Sequence, residues 1–268
     1  MIAELEFSEF EKAKNIFRNN NQQLPVFSII NGYHPGRIFV DNKTNPHAAI
    51  AWAIGRWAYI DGISNNFDFI DSLSDLIKNT IIPDSKNRLK MDWFELYACG
   101  SPKWENIIDN IIKPFDSSKH YESVYTWDKQ KYSDFRSSFK FPSDVVIKKT
   151  DFSVVSEKAL LSSLVPDKNK TKTTFGFSVM SKEEELAHCR STGFEVGKSF
   201  MINVITHDAN IRKKGYATSA SVALLDYCLE NDLVPLWETT EDNIASQRLA
   251  NRLGFVKDQT YPVFAIEF

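Results

Sequence analysis

A mixed α and β fold in two parts is predicted by three features of this 268-residue chain. Short β-branched runs alternate with segments whose apolar residues recur every three or four positions, so neither an all-helical nor an all-strand architecture fits. The length suits one large domain or two modest ones, and 43% hydrophobic residues fill a core without a disulfide or metal staple. Polar stretches on either side of 141–166 mark loops, and a second unit is expected to begin near Phe141-Pro142. The expected division is a mixed α/β domain over 1–140 and a second domain over 141–268, with a mostly antiparallel sheet flanked by helices.

Each element rests on a local signal. Phe7, Phe10, Ala13 and Phe17 keep helical spacing. Pro25–Ile30 reads as a strand, closed by the turn signals Asn31-Gly32 and Pro35-Gly36. Further strands follow over Arg37–Val40 and within Ala48–Tyr59. The apolar spacing of Phe69, Ile70, Leu73, Leu76 and Ile77 predicts a helix over Phe67–Ile81, stopped by Pro83, which lacks an amide hydrogen. Asp92–Tyr97 is a short strand, Trp104–Ile112 an amphipathic helix ended at Pro114, and Glu122–Trp127 a closing strand.

In the second part, Val145–Lys149 reads as a strand and Glu157–Leu164 as a helix, with Asp167–Thr174 a polar loop. Phe175–Met180, Glu184–Ser191 and Ser199–Thr206 are three strands in succession. A helix over Tyr216–Leu229 sets Ala220, Leu224, Tyr227 and Cys228 on one stripe. Val234–Thr239 is a strand, Ile244–Leu253 a helix stopped by Gly254, and Val263–Phe268 a last strand.

Composition narrows the function. With 32 basic and 35 acidic residues the net charge is −3, which argues against a nucleic-acid-binding face. No apolar run approaches the roughly 18 residues of a membrane span. Met1–Phe10 carries Glu4, Glu6 and Glu9 without a basic-then-apolar pattern, so no signal peptide is expected and a cytoplasmic protein is. Cys99, Cys189 and Cys228 are odd in number and form no C-x-x-C pair, so neither a zinc site nor a disulfide framework is indicated.

The chemistry-bearing segment is Arg212-Lys-Lys-Gly-Tyr-Ala-Thr218, between a β-branched strand and a strongly patterned helix. A strand-to-helix turn with glycine points successive backbone N–H groups into one concavity, and the helix start adds its positive dipole end. Gly215 removes the Cβ that blocks a phosphate, small Ala217 and Thr218 follow, and Arg212, Lys213 and Lys214 add charge. The bland alternative is a solvated basic turn. No G-x-x-x-x-G-K-[ST] occurs, which excludes a P-loop nucleotidase. A second segment, Asn243–Phe255, has an N-cap residue at Asn243 and a glycine stop at Gly254.

Together these two segments resemble the GNAT family of N-acetyltransferases. The family's Arg/Gln-x-x-Gly-x-Gly/Ala motif is matched by Arg212, Gly215 and Ala217. Its second motif, an Asn followed by a helix ending in Gly-Phe, is matched by Asn243, Ser246, Gly254 and Phe255. The match covers about Gly176–Phe268, while length and the Leu233–Trp237 strand resemble the two-domain, zwittermicin A resistance-type branch. The resemblance implies a GNAT fold for the second half. The first half has no such turn but runs strand, helix and hairpin in similar order, as a degenerate copy would.

The resemblance also implies acetyl-CoA as co-substrate. Asn203, Val204, Ile205 and Thr206 would offer backbone groups to the pantetheine arm. The amides of Lys213, Lys214, Gly215, Tyr216, Ala217 and Thr218 would hold the pyrophosphate beside Arg212, with Asn243 and Ser246 contacting the same cofactor. A small-molecule amine, such as an amino-bearing antibiotic or metabolite, would attack the thioester directly, with a backbone N–H stabilising the oxyanion.

Two positions depart from the family. Many members carry a Tyr seven residues after the motif Asn, where this chain has Ala250, and often a Glu on the strand before the turn, where Phe200–Thr206 has no carboxylate and Asn203 stands. The acceptor ammonium must still lose a proton. Glu238 leads the candidates for base, followed by His207, Asp208 and His188; Tyr261 and Tyr216 are candidates for the acid. Each has a plainer alternative: a structural histidine, a turn-forming aspartate, a glutamate facing solvent. The rival from another class is a non-catalytic acyl-CoA-binding sensor or scaffold, which shares the phosphate turn. The oligomeric state stays open.

Overall fold

The computed structural model describes residues 2–18, 20–98, 102–152 and 174–268. The helix expected over Glu157–Leu164 and most of the polar stretch after it lie outside these residues. The described residues form two compact units, one of residues up to 122 with 261–268, the other of 123–152 with 174–260. Both alternate strand and helix, the mixed architecture expected.

In the first unit, β1 (Ala3–Glu4) pairs with β2 (Gly36–Val40), which continues antiparallel to β3 (Ala48–Ala53) and β4 (Trp57–Gly62). Every residue of β3 is buried, as in a sheet covered on both faces. Between β1 and β2 the chain forms a 3-10 turn over Phe7–Ala13 and then α1 (Leu24–Ile30), where a strand was expected. All seven residues of α1 are buried, so its apolar run carries no period to separate helix from strand. Pro25 sits in its first turn, where a missing N–H costs nothing.

The helix α2 (Phe67–Leu76) follows β4, capped by Asn66, whose side-chain oxygen accepts the Phe69 amide at 3.2 Å. Pro83 does not stop the helical run. A π turn over Ile77–Ile81 widens the coil, Pro83 falls in the first turn of the short segment Ile82–Asp84, and a second π turn carries on to Leu89. The left-handed Lys90, at φ 57°, ends the run. β5 (Trp93–Ala98) lies parallel to β4 through four pairs, Trp57↔Glu95 to Ile60↔Ala98. Then come α3 (Pro102–Ile111) and the long strand β6 (Asp116–Trp127). Trp52, Phe69, Leu73, Phe94, Leu96, Trp104 and Ile108 form the core between this sheet and its helices.

The second unit takes β6 from Ser123 onward. The next element, α4 (Lys129–Ser138), was not expected. Only Tyr132 is buried on it, so no apolar stripe announces it, although Asp128 caps it by accepting the amides of Gln130 and Lys131 at 3.0 and 3.1 Å. β7 (Val146–Phe152), β8 (Thr174–Ser181), β9 (Glu184–Val196) and β10 (Ser199–Thr206) run antiparallel in sequence order. The helix α5 (Tyr216–Glu230) crosses to β11 (Val234–Thr240), which lies parallel to β10. Next come α6 (Ile244–Arg252) and β12 (Phe255–Glu267). Ala220, Val222 and Leu224 of α5 share one core with Cys189, Phe200 and Ile202. Gly254 ends α6 at φ +85°, and a Cβ there would stand 2.7 Å from the Tyr132 nitrogen, so glycine alone lets α4 start against it.

Apart from α1, which lies between the first two strands of the first unit, the described residues of both units repeat one order: four antiparallel strands, a helix, a parallel fifth strand, a second helix and a long sixth strand. The end of β12 returns to the first unit, where Val263–Glu267 pair antiparallel with Trp93–Tyr97.

Candidate acyl-donor site

Three features of the second unit place the site: two strands that part, a helix start left uncapped, and a polar cluster on the same sheet face. The parallel pair β10/β11 is joined at Ser199↔Val234, Phe200↔Pro235 and Met201↔Leu236 and then stops. Carrying that register two residues further would set Asn203 against Glu238, but no pair forms there. Backbone groups of Ile202–Thr206 on that side are therefore free of β11, and Asn203 and Ile205 are exposed. An extended ligand entering such a gap can hydrogen-bond as an added strand. Glu238, half-buried on β11, lies on the face that Asn203 shares.

After Thr206 the chain makes a 3-10 turn over Ala209–Ile211, capped by Asp208, whose side chain accepts the Asn210 amide at 2.8 Å. Asp208 thus serves as a turn former. Lys213 and Gly215 then take positive φ, 67° and 88°, and α5 begins at Tyr216 with Gly215 at its N-cap and no side-chain cap. Left-handed residues in such a turn gather amides into a concavity that suits an anion. A Cβ on Gly215 would meet nothing within 4 Å, so glycine serves backbone conformation and open access here, not packing. Arg212, Lys213 and Lys214 are exposed and enter no ion pair among the described residues. Tyr216 and Ala217 are half-exposed and Thr218 is buried.

Asn243 caps α6 by accepting the Ser246 amide at 3.1 Å, and the Ser246 hydroxyl accepts the Trp237 indole N–H at 3.0 Å. These bonds fix α6 against β11 beside the gap. Ala250, where many family members have tyrosine, is fully buried in the core.

The carboxylate that sequence reasoning missed is Glu185. In a regular strand, residues 185 and 188 face opposite sides. Here Val179 pairs with Ala187 but Met180 with Glu185, so Leu186 is an extra residue, a bulge that turns Glu185 onto the His188 face. His207, just past β10, donates its amide to the Leu186 carbonyl at 3.1 Å and brings its ring to the same face. Glu185 Oε1 lies 2.6 Å from His188 Nδ1 and 2.8 Å from His207 Nε2, while Oε2 accepts from Ser178 Oγ at 2.9 Å and Arg190 Nη2 at 2.5 Å. Burial acts to raise the Glu185 pKa, but His207, His188, Ser178 and Arg190 overcome it and hold it at about 2. Burial lowers that of His188, against the pull of Glu185. Only an irregular pairing brings this group together, so residue spacing carries no signal for it.

Tyr261 lies on β12 in the first unit, 3% exposed, its ring 6.1 Å from Tyr97. Tyr97 in turn donates toward two buried carboxylates, Glu122 at 3.0 Å and Glu95 at 3.3 Å. Burial, then the Glu122 charge, push the Glu95 pKa up to about 7.

Comparison with known proteins agrees with this architecture. The chain is 21% identical over 270 residues to an uncharacterised N-acetyltransferase, YdfB, of Bacillus subtilis, covering 98% of both. A GCN5-related N-acetyltransferase-like protein from Streptococcus suis shares the fold at TM-score 0.69 and 19% identity, over 97% of this chain and 99% of that one. A tandem GNAT protein of the clavulanic acid biosynthesis pathway does so at TM-score 0.64 and 10% identity, over 100% and 98%. The family model described as GNAT acetyltransferase matches residues 14–264, nearly the whole of both units, and the chain belongs to that family.

Proposed function

We propose that the protein is an acetyl-CoA-dependent N-acetyltransferase acting on a small-molecule primary amine, in the manner of the two-domain, zwittermicin A resistance-type branch. One observation carries this reading: the gap between β10 and β11 lies beside an uncapped helix start with three cations that have no acidic partner among the described residues. The repeat of one element order in both units supports a tandem GNAT arrangement. The free, buried thiols of Cys189 and Cys228 are in keeping with the cytoplasm.

Bound coenzyme would supply an acetyl group activated as a thioester. Asn203–Thr206 would align the pantetheine arm through backbone hydrogen bonds. Arg212 and the amides of Lys213–Thr218 would hold the diphosphate, with Asn243 and Ser246 alongside. Glu238, across the gap from Asn203, would take the proton from the acceptor ammonium and leave a free amine as nucleophile. His207, the second candidate base, already hydrogen-bonds Glu185 and stands further along the chain, past the end of β10. The departing thiolate would take its proton from solvent. Attack by the amine is direct, so no covalent enzyme intermediate is needed.

Calorimetry with coenzyme A tests the binding half. Gly215→Asp puts a carboxylate in the anion concavity and should weaken binding at least about a hundredfold, close to 2.7 kcal/mol. Unchanged affinity refutes the site. Ala250 and the lack of a carboxylate on β10 favour, as second reading, a sensor that binds acyl-CoA without turnover. Thiol release from acetyl-CoA across an amine panel separates the two: release with any amine supports the enzyme, tight binding without release the sensor.

A further inference from the structure

With Glu238 as the base, the proposed acyl transfer leaves the constellation of Glu185, His188 and His207 unused. We propose that they bind one divalent transition-metal ion of the zinc class, through Glu185 Oε1, His188 Nδ1 and His207 Nε2. Two imidazoles and a carboxylate are a donor set suited to such an ion, with a fourth position left open.

Three observations carry the assignment. The first is convergence: the three donor atoms all lie within 4.8 Å of one another, with both ring nitrogens aimed at a single carboxylate oxygen. Tetrahedral ligands about 2.0–2.1 Å from zinc stand about 3.3 Å apart, so the 2.6 and 2.8 Å separations need open by only about 0.7 and 0.5 Å. Each ring would then carry its proton on the other nitrogen, and the ion would replace two hydrogen bonds.

The second is construction. Without the bulge at Leu186, Glu185 would point to the opposite face, and bulges of this kind re-aim side chains beside functional sites. The third is the support behind the carboxylate. Ser178 and Arg190 hold Oε2, which leaves Oε1 for the centre, as outer partners do for metal-binding carboxylates. Arg190 reaches this place across Gly176, where a Cβ would come within 2.3 Å of its Cγ. The arginine charge lowers the affinity of the site, but the exposed His207 ring keeps one side open to an incoming ion. A second such group among the described residues, Glu95, His120 and Glu122, lacks this directed geometry, since its two carboxylates are already bridged by the Tyr97 hydroxyl.

The test uses the full chain after chelator treatment and does not depend on acetyl transfer. Zinc chloride alone is titrated by calorimetry, and cobalt(II) chloride by visible absorption. The expected result is one ion per chain, with the absorption bands of four-coordinate cobalt. Ser178→Ala should weaken binding about 10-fold, within the 10–100-fold range for losing an outer partner, and His207→Ala by more than that range. His207 is exposed at the end of its strand, so its loss leaves the core intact, and circular dichroism checks the fold. Absence of stoichiometric zinc binding, or binding unchanged in His207→Ala, overturns the site.

Discussion

The two units run the same strand–helix–strand crossover but begin its helix differently. In the first unit α2 starts from Asn66, whose side chain takes up a free amide of the first turn. In the second, α5 starts from Gly215 with no side-chain cap, behind a turn bearing three cations. The parallel strands differ in step: β4 and β5 pair through four residues, whereas β10 and β11 part after three. The first copy caps its helix start and the second leaves its own uncapped beside parting strands, which is why we propose the coenzyme site in the second.

The carboxylates of the two units show the same contrast in electrostatic form. Glu185 meets two imidazoles, a hydroxyl and a guanidinium and stays ionised; Glu95 is buried beside another acid, with Tyr97 and His120 as its polar company. A carboxyl raised from 4.5 to about 7 keeps its proton in the native state after the unfolded chain has lost it. Native stability therefore falls as the pH rises from 4.5 to about 7, by about 3 kcal/mol once above it. Glu95→Gln should remove that loss, gaining about 3 kcal/mol at pH 8 and little at pH 4.5, as read by urea unfolding. An equal gain at both pH values would assign the effect to packing instead.

The parting strands make the next distinction. If Glu238 deprotonates the acceptor, Glu238→Gln should lower turnover at neutral pH about ten-fold or more and remove the acid limb of the pH–rate profile, while coenzyme A affinity holds. A rate and profile that stay put would move that role elsewhere and leave the open gap with a binding function only.

Much of this contrast was legible in the sequence of the second unit, where Arg212, Gly215, Ala217 and Asn243 sit at fixed spacings on well-marked elements. The first unit was harder. The run from Leu24 to Ile30 is buried all round, Ser28 included, so only tertiary context makes it a helix. Pro83 carries a stop signal that π turns override; in the second unit α4 was missed too, because it buries a single side chain. The Glu185 group was invisible for another reason: it depends on one extra residue in a ladder, and register is a property of two strands together.

The smallest effect expected probes the closed copy directly. Asn66→Ala removes the α2 cap and should cost about 1 kcal/mol, to which the lost bond from Asn66 Nδ2 to Asp41 at 3.0 Å adds. Asn66→Ser keeps a capping oxygen and loses only the second bond, so it should recover most of the stability in urea unfolding. Neither change should alter coenzyme A affinity, because Asn66 lies in the first unit and the proposed coenzyme turn in the second. If uncapping α2 weakened coenzyme A binding as much as Gly215→Asp does, the two helix starts would not be the closed and open forms of one turn.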